Sequence, residues 1–215
     1  TKNQNVGHFP IPIVRDGQIS DIFHFDYGTM SWKRTYADGD IWRQKMVGRF
    51  GDGFGAFGIS DRHGNAHFIF RPNRVGSDGG PNFYARWNGA ELQREVVDPA
   101  AEELLGVATT DASVYVLLRR PGLAGTKKHF IAKRNVNGQW TYEKLPFPHL
   151  LDVSLAIGRA GRIFVVGWSA DACQLALFVK NQNQWTRSVL EEFPGTTDQQ
   201  LRWAIVQVDS PTRPV

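Results

Sequence analysis

In VATTDASVYVLLRRPGLAGTKKHFIAKRNVNGQW, residues 107–140, apolar runs alternate with turn residues. Residues 114–118 and 130–132 are short runs of aliphatic and aromatic side chains, bounded by Asp, Gly, Pro and Asn. Runs of this kind are typical of β-strands. Asn137-Gly138 supplies the positive φ angles of a tight hairpin, which leads into Trp140. The segment therefore predicts consecutive antiparallel strands.

The same pattern recurs along the chain. An alanine flanked by apolar or small residues opens each repeat, at spacings of 52, 48 and 48 residues: Ala56, Ala108, Ala156 and Ala204. The alanine is followed by a polar turn and a second apolar run in three of the repeats, and then by a third run and a hairpin into a fourth. Four strands in each unit of about 45 to 52 residues form the blade of a β-propeller.

We therefore predict an all-β fold, a single β-propeller domain of four blades with four antiparallel strands each. The predicted blades are residues 1–44 with 201–209, 45–98, 99–146 and 147–195. Within the first blade, residues 9–14, 22–25 and 31–36 are its second, third and fourth strands. Residues 201–208 supply its first strand, so the two chain ends pair and close the ring, which removes exposed strand edges. The alternative is a fragment of a larger propeller, in which residues 201–208 open a further blade.

Composition narrows the remaining classes. The apolar runs are too short to cross a bilayer, and the best helix candidate, residues 99–105, is at most two turns long. Cys173 is the single cysteine, which excludes internal disulfides and Cys-rich zinc sites, and we expect no metal and no cofactor. A net charge of +4 is modest, and acidic interblade loops offset basic ones, so nucleic-acid binding is not expected.

The start of the chain carries no apolar leader, so a signal peptide is expected to be absent or already removed. The low cysteine content and the lack of an Asn-X-Ser/Thr sequon suit a bacterial secreted domain slightly better than a cytoplasmic one.

Residue size also follows the repeat. Small residues such as Gly58 are expected on the innermost strands, which converge on the central axis. Large residues fill the widening gap between twisted blades, and we predict that Trp32, Trp140 and Trp185 are core residues of this kind.

Two segments resemble the Asp-box hairpin of the broad BNR-type group of β-propellers. They are Ser60-Asp61-Arg62-His63-Gly64-Asn65-Ala66-His67-Phe68 and Asp26-Tyr27-Gly28-Thr29-Met30-Ser31-Trp32. In that motif a Ser, an Asp, a Gly and an aromatic residue close a hairpin between outer strands. The first segment here is predicted to join inner strands. The group includes sialidase-like domains, several lectins and some polysaccharide lyases, so the resemblance implies the fold and leaves the activity open.

A glycan-active enzyme, either a sialidase-like hydrolase or a polysaccharide lyase, is one functional alternative. Hydrolysis requires two acids about 5 to 9 Å apart, and the acids here mostly lie in loops between blades. A lyase requires a base and a group that neutralises a uronic carboxylate. On adjacent strands of one blade, the best candidates for these roles are His67, Arg71 and Tyr84.

We favour a non-catalytic, carbohydrate-binding module, with a protein–protein interaction scaffold as the other alternative. Sugars are recognised by aromatic rings together with polar groups. Trp87, Trp168 and Trp42 do not occupy equivalent places in the repeat and are the predicted ring platforms. The predicted polar contacts in the loops between second and third strands are Arg71, Arg74 and Arg119. Polar hairpin tips also recur, at residues 88–89, 135–137 and 181–183.

Overall fold

Strands and turns make up the part of the chain that a computed structural model describes. The described residues are 8–15, 17–26, 28–48, 52–72, 81–123, 126–147, 150–169 and 173–192. They form sixteen strands in four antiparallel sheets of four strands each, with a 3-10 turn at Arg159–Gly161. The all-β prediction and the predicted four strands per repeat are confirmed. Within these residues, no helix is long and apolar enough to cross a membrane.

Each sheet is built from one contiguous segment, in which successive strands are neighbours. This strand order is that of propeller blades. The first sheet contains β1 (His8–Arg15), β2 (Gln18–Asp26), β3 (Ser31–Asp38) and β4 (Ile41–Met46). The second contains β5 (Asp52–Ser60), β6 (Ala66–Pro72), β7 (Asn82–Trp87) and β8 (Leu92–Asp98). The third contains β9 (Glu103–Thr109), β10 (Val114–Pro121), β11 (Lys127–Arg134) and β12 (Trp140–Lys144). The fourth contains β13 (Leu150–Ile157), β14 (Ile163–Ser169), β15 (Gln174–Asn181) and β16 (Gln184–Glu192).

The first sheet differs from its prediction by one strand. Residues 9–14 belong to β1 at one edge of the sheet, and the next two predicted strands are β2 and β3. The fourth strand is β4, whose sequence IWRQKM has no apolar run and is exposed on both faces, so its periodicity gave no signal. Residues 201–208 lie outside the described residues, and ring closure through them stays a prediction.

The helix candidate at residues 99–105 forms a turn followed by a strand. The side chain of Asp98 accepts a hydrogen bond from the Ala100 amide at 2.9 Å, and its carbonyl accepts one from the Ala101 amide at 3.1 Å. These bonds form a turn, after which β9 begins at Glu103. An Asp side chain that bonds the backbone two residues on favours a turn over a helix interior.

The chain divides into two compact units, residues 1–107 and 108–215, with the boundary inside β9. The core of the first unit is aromatic. Phe23 and Trp32 of the first sheet pack on Phe68 of the second, with ring centroids 5.2 and 4.9 Å apart. The core of the second unit is mainly aliphatic, with side chains such as Val116, Leu117, Leu118, Ile131 and Val165, and it also contains the buried rings of Tyr115, Trp168 and Phe178.

Two glycines show why the repeat needs small residues. A Cβ on Gly58 of β5 would overlap the Ile11 side chain of β1, which confirms that a small residue is required at this close approach. Gly138, in the turn between β11 and β12, has a φ of 82°, as the hairpin signal predicted. Trp32, 0% exposed, is a core residue as predicted, whereas Trp140 and Trp185 are only half-buried.

Candidate functional site

The second sheet brings together two of the three residues predicted for a lyase. His67 on β6 and Tyr84 on β7 are both buried, and Nδ1 of His67 lies 2.7 Å from the Tyr84 hydroxyl. Nε2 of His67 lies 3.2 Å from Oδ2 of Asp61. Arg71 is exposed and lies four residues farther along β6, about 13 Å away at a rise of about 3.3 Å per residue. The contacts therefore link Asp61, His67 and Tyr84, with Arg71 distant from them.

Asp61 also organises the turn between β5 and β6. Its Oδ1 accepts hydrogen bonds from the backbone amides of His63 at 2.9 Å and Asn65 at 2.8 Å, and its Oδ2 accepts one from the Asn65 side chain at 2.7 Å. Burial alone would raise the pKa of Asp61, but the hydrogen bonds from Asn65 and His67 outweigh it and lower the pKa. The Asp therefore stays ionised and stabilises the turn.

Asp26 has the same role in the other Asp-box-like segment, between β2 and β3. Its carboxylate accepts hydrogen bonds from the Gly28 amide at 2.8 Å and the Thr29 hydroxyl at 2.9 Å, and pairs with Lys33. Burial opposes ionisation here too, but Lys33 and these donors lower the pKa of Asp26. Turn structure thus accounts for the acidic residue of both segments.

Two of the three predicted ring platforms are buried. Trp87 is 4% exposed and packs on Phe23 at a centroid distance of 5.6 Å, and Trp168 is 5% exposed. A buried ring cannot stack on a sugar, so these two are core residues rather than ligand platforms. Trp42, on β4, is 51% exposed and accessible.

The predicted arginines lie on separate sheets. Arg71 is exposed near the end of β6, and Arg119 is half-buried near the end of β10. Arg74 lies outside the described residues. Both described arginines therefore lie beside loops that join second and third strands, as the sequence indicated, but on different sheets.

An open cleft of about 360 Å³ lies in the second unit, between the third and fourth sheets. It is situated at the ends of these sheets that carry the tight hairpins. Its lining combines two tyrosines with hydroxyl, amide and charged groups: Tyr115, Ile131, Lys133, Thr141, Tyr142, Glu143, Gly161, Ile163, Lys180, Gln182 and Asn183. Its volume is within the range of small-ligand sites.

Glu143 links the two sheets across this cleft. One carboxylate oxygen, Oε2, accepts a hydrogen bond from the Lys180 ammonium of β15 and forms an ion pair with it. The other, Oε1, accepts one from Nε1 of Trp185 on β16 at 3.0 Å. Each oxygen of Glu143 is thus bonded to a donor of the fourth sheet.

Lys133 is the second cation of the cleft, and the sheet register positions it. On one face of the third sheet, Lys133 lies between its two cross-strand neighbours, Tyr115 of β10 and Thr141 of β12. Its Nζ lies 5.5 Å from the centroid of the Tyr115 ring. The Thr141 hydroxyl donates to the Lys133 carbonyl at 3.3 Å. Among the described residues, no carboxylate forms an ion pair with Lys133.

The described lining of the cleft is mainly polar. Glu143 is the single carboxylate among the described residues of the lining, and paired-acid hydrolysis requires two. Across the described part of the chain, no three of His, Cys, Asp and Glu come together in a way that could hold a metal ion. The cleft offers hydrogen-bond donors and acceptors around the ion pair of Glu143 and Lys180.

The sequence pattern did not indicate this cleft, since the predicted contacts Arg71 and Arg119 lie beside loops at the other ends of the strands. Strand alternation contained a signal: Lys133 lies two residues after Ile131, and Lys180 two residues after Phe178. Each lysine therefore shares a strand face with a buried apolar residue. Gln182 and Asn183 belong to one of the polar hairpin tips that the sequence did indicate, at residues 181–183.

Comparison with known proteins identifies no family. Neither a family model nor a curated protein matches the chain. Among solved structures, the chain is similar to a bifunctional GH43-CE protein of Bacteroides eggerthii, with 11% sequence identity and a TM-score of 0.48. The similarity covers 83% of this chain and 25% of that one, so this chain spans about a quarter of that protein's length. A likeness at this level carries no conclusion about activity.

Proposed function

We propose that this chain is a non-catalytic carbohydrate-binding module, and that the cleft between the third and fourth sheets is its binding site. The observation that carries the proposal is the chemistry of an open cleft in which the Tyr142 ring, 42% exposed, adjoins hydroxyl, amide and charged groups. Sugars expose apolar C–H faces, which aromatic rings cover, and hydroxyls, which exchange hydrogen bonds with polar side chains.

The polar groups of the cleft are held by the sheets rather than by long loops. Lys133 and Thr141 are fixed by strand pairing, and Lys180 and Glu143 hold each other. Gln182 is in a left-handed conformation, with a φ of 56°, in the hairpin between β15 and β16. Groups that are positioned before binding lose less entropy when a ligand arrives, which favours recognition.

The test is isothermal titration of the protein with a panel of neutral and acidic oligosaccharides, together with a variant that fills the cleft. Thr141 is exposed and lines the cleft, so Thr141→Trp places a large ring in it. We expect saturable binding by the unmodified chain, and affinity weakened about tenfold or more in the variant, about 1.4 kcal/mol.

Thr186 on β16 provides a matched control. Its hydroxyl donates to the Val179 carbonyl at 3.3 Å, as that of Thr141 does to Lys133, and it is exposed outside the cleft lining. Thr186→Trp should bind like the unmodified chain, and both variants should keep its melting temperature. Equal binding by both variants would place the site elsewhere. Absence of binding to every sugar would reject the proposal in favour of the protein-interaction scaffold.

A further inference from the structure

The described lining of the cleft carries more cationic than anionic side chains. Lys133 and Lys180 are cationic and Glu143 is anionic, so the described lining carries one excess positive charge. Glu143 pairs with Lys180. The excess is therefore carried by Lys133, whose ammonium contacts the face of the Tyr115 ring at a centroid distance of 5.5 Å. A cation over a ring still has N–H groups that can donate to a ligand.

Both oxygens of the single carboxylate in the described lining are engaged. Oε1 of Glu143 accepts from Trp185, and Oε2 accepts from Lys180. The ammonium group of Lys133 provides three N–H donors in the cleft, and the side-chain amides of Gln182 and Asn183 can also donate. A site whose one carboxylate is engaged, and whose described lining carries an excess positive charge, matches a ligand with a negatively charged acceptor.

We infer that the cleft selects acidic sugars and that Lys133 binds the carboxylate of a uronic acid residue; this inference rests on the proposed function. Lys180 is held by its ion pair with Glu143. An ammonium that pairs with a carboxylate forms a short, charge-assisted hydrogen bond, which is stronger than a bond to a neutral hydroxyl. A neutral sugar would leave the positive charge of Lys133 without a counter-charge in the complex.

The experiment compares a short oligogalacturonate with its fully methyl-esterified form, which keeps the same rings and removes the charge. Both are titrated calorimetrically into the full chain at low ionic strength, because salt screens exposed charges. We expect the acidic form to bind about tenfold or more tightly than the ester. In Lys133→Gln the two forms should bind with similar affinity.

Lys144 supplies the matched control, since it is an exposed lysine of β12 outside the cleft lining. Lys144→Gln removes the same net charge from the chain and should keep the preference for the acidic form. Equal binding of both forms to the unmodified chain, or a preference that persists in Lys133→Gln, would overturn the inference while the proposed function stands. If neither these ligands nor any sugar of the wider panel binds, both are rejected.

Discussion

The gap between the first and second sheets is filled with aromatic rings, whereas the gap between the third and fourth sheets contains an open polar cleft. In the first gap Trp32 lies against Phe68 with centroids 4.9 Å apart, and both side chains are fully buried. In the second, Glu143 pairs with Lys180 in a space of about 360 Å³. Both gaps separate four-stranded sheets of the same strand order. The difference shows that a few inward-facing side chains decide whether the gap between two sheets is filled or open.

The third strands of the second and fourth sheets make this contrast specific. Trp87, at the end of β7, packs on Phe23 and is buried. Lys180, near the end of β15, contacts Glu143 at the edge of the cleft. A large ring excludes water from the space between two sheets, whereas a lysine brings a charge that retains contact with it.

The largest expected effect is on the aromatic gap. Trp32→Ala should lower the free energy of unfolding by about 3 to 5 kcal/mol, because it removes a fully buried ring and leaves a cavity against Phe25 and Phe68. Urea unfolding followed by circular dichroism measures the change. Trp42→Ala is the matched control, since Trp42 is largely exposed, and it should cost less than about 0.5 kcal/mol. Similar losses for both would contradict the assignment of Trp32 to the core.

A smaller effect is expected at Asp61, a carboxylate of the first unit that is far less exposed than Glu143. Its side chain is 14% exposed, against 40% for Glu143. Asp61→Asn should destabilise the chain at pH 7 by about 1 to 2 kcal/mol, because the turn amides and His67 lose an ionised acceptor. Urea unfolding at pH 7 and pH 3 measures this.

The pH dependence of Asp61 has a definite sign. Its pKa is lower in the folded chain than its ordinary value, so its contribution is present above about pH 4 and is lost as the pH falls further. Between pH 7 and pH 3 the Asn variant should therefore lose less stability than the unmodified chain. Asp40→Asn, at an exposed turn, should behave like the unmodified chain, and an equal acid loss in Asp61→Asn would refute the role of this carboxylate.

The smallest effect is expected at the ion pair of the cleft. A double-mutant cycle with Glu143→Gln and Lys180→Gln should give a coupling energy of about 0.2 to 1 kcal/mol, because Glu143 is partly exposed to water. Chemical unfolding of the four proteins measures it, and the value should fall at high salt. A coupling of several kcal/mol would mean that this pair holds the two sheets together as the aromatic rings do in the first unit.

Local signals accounted for the strands and turns. The run at residues 114–118 and the Asn137-Gly138 pair act within a few neighbours, and each appears in the structure as a strand or a positive-φ turn. The same local reading missed β4, because an exposed strand has no apolar periodicity to detect. The core role of Trp32 also followed from the repeat, because a large residue at that place is expected to fill the gap between blades.

Roles that depend on burial were harder to predict. Trp87 and Trp168 do not occupy equivalent places in the repeat, which suggested ligand binding. Both are buried. A ring is buried wherever other parts of the fold cover it, whatever its place in the repeat. The opposite error occurred at the cleft, whose lysine and glutamate side chains were not predicted to bind a ligand. Lys133 and Glu143 read as ordinary polar residues of outer strands, and no single strand shows that the fourth sheet faces them.

The amino-acid sequence was sufficient for the all-β class, the four-strand repeat and the hairpins, because strand periodicity and turn chemistry act over a few residues. The tertiary structure alone distinguished the filled gap from the open one. That distinction depends on which side chains of two separate sheets meet, as Glu143 of β12 meets Lys180 of β15. Whether a side chain is buried depends on both sheet faces that meet at it, whereas the periodicity of one strand describes only its own face.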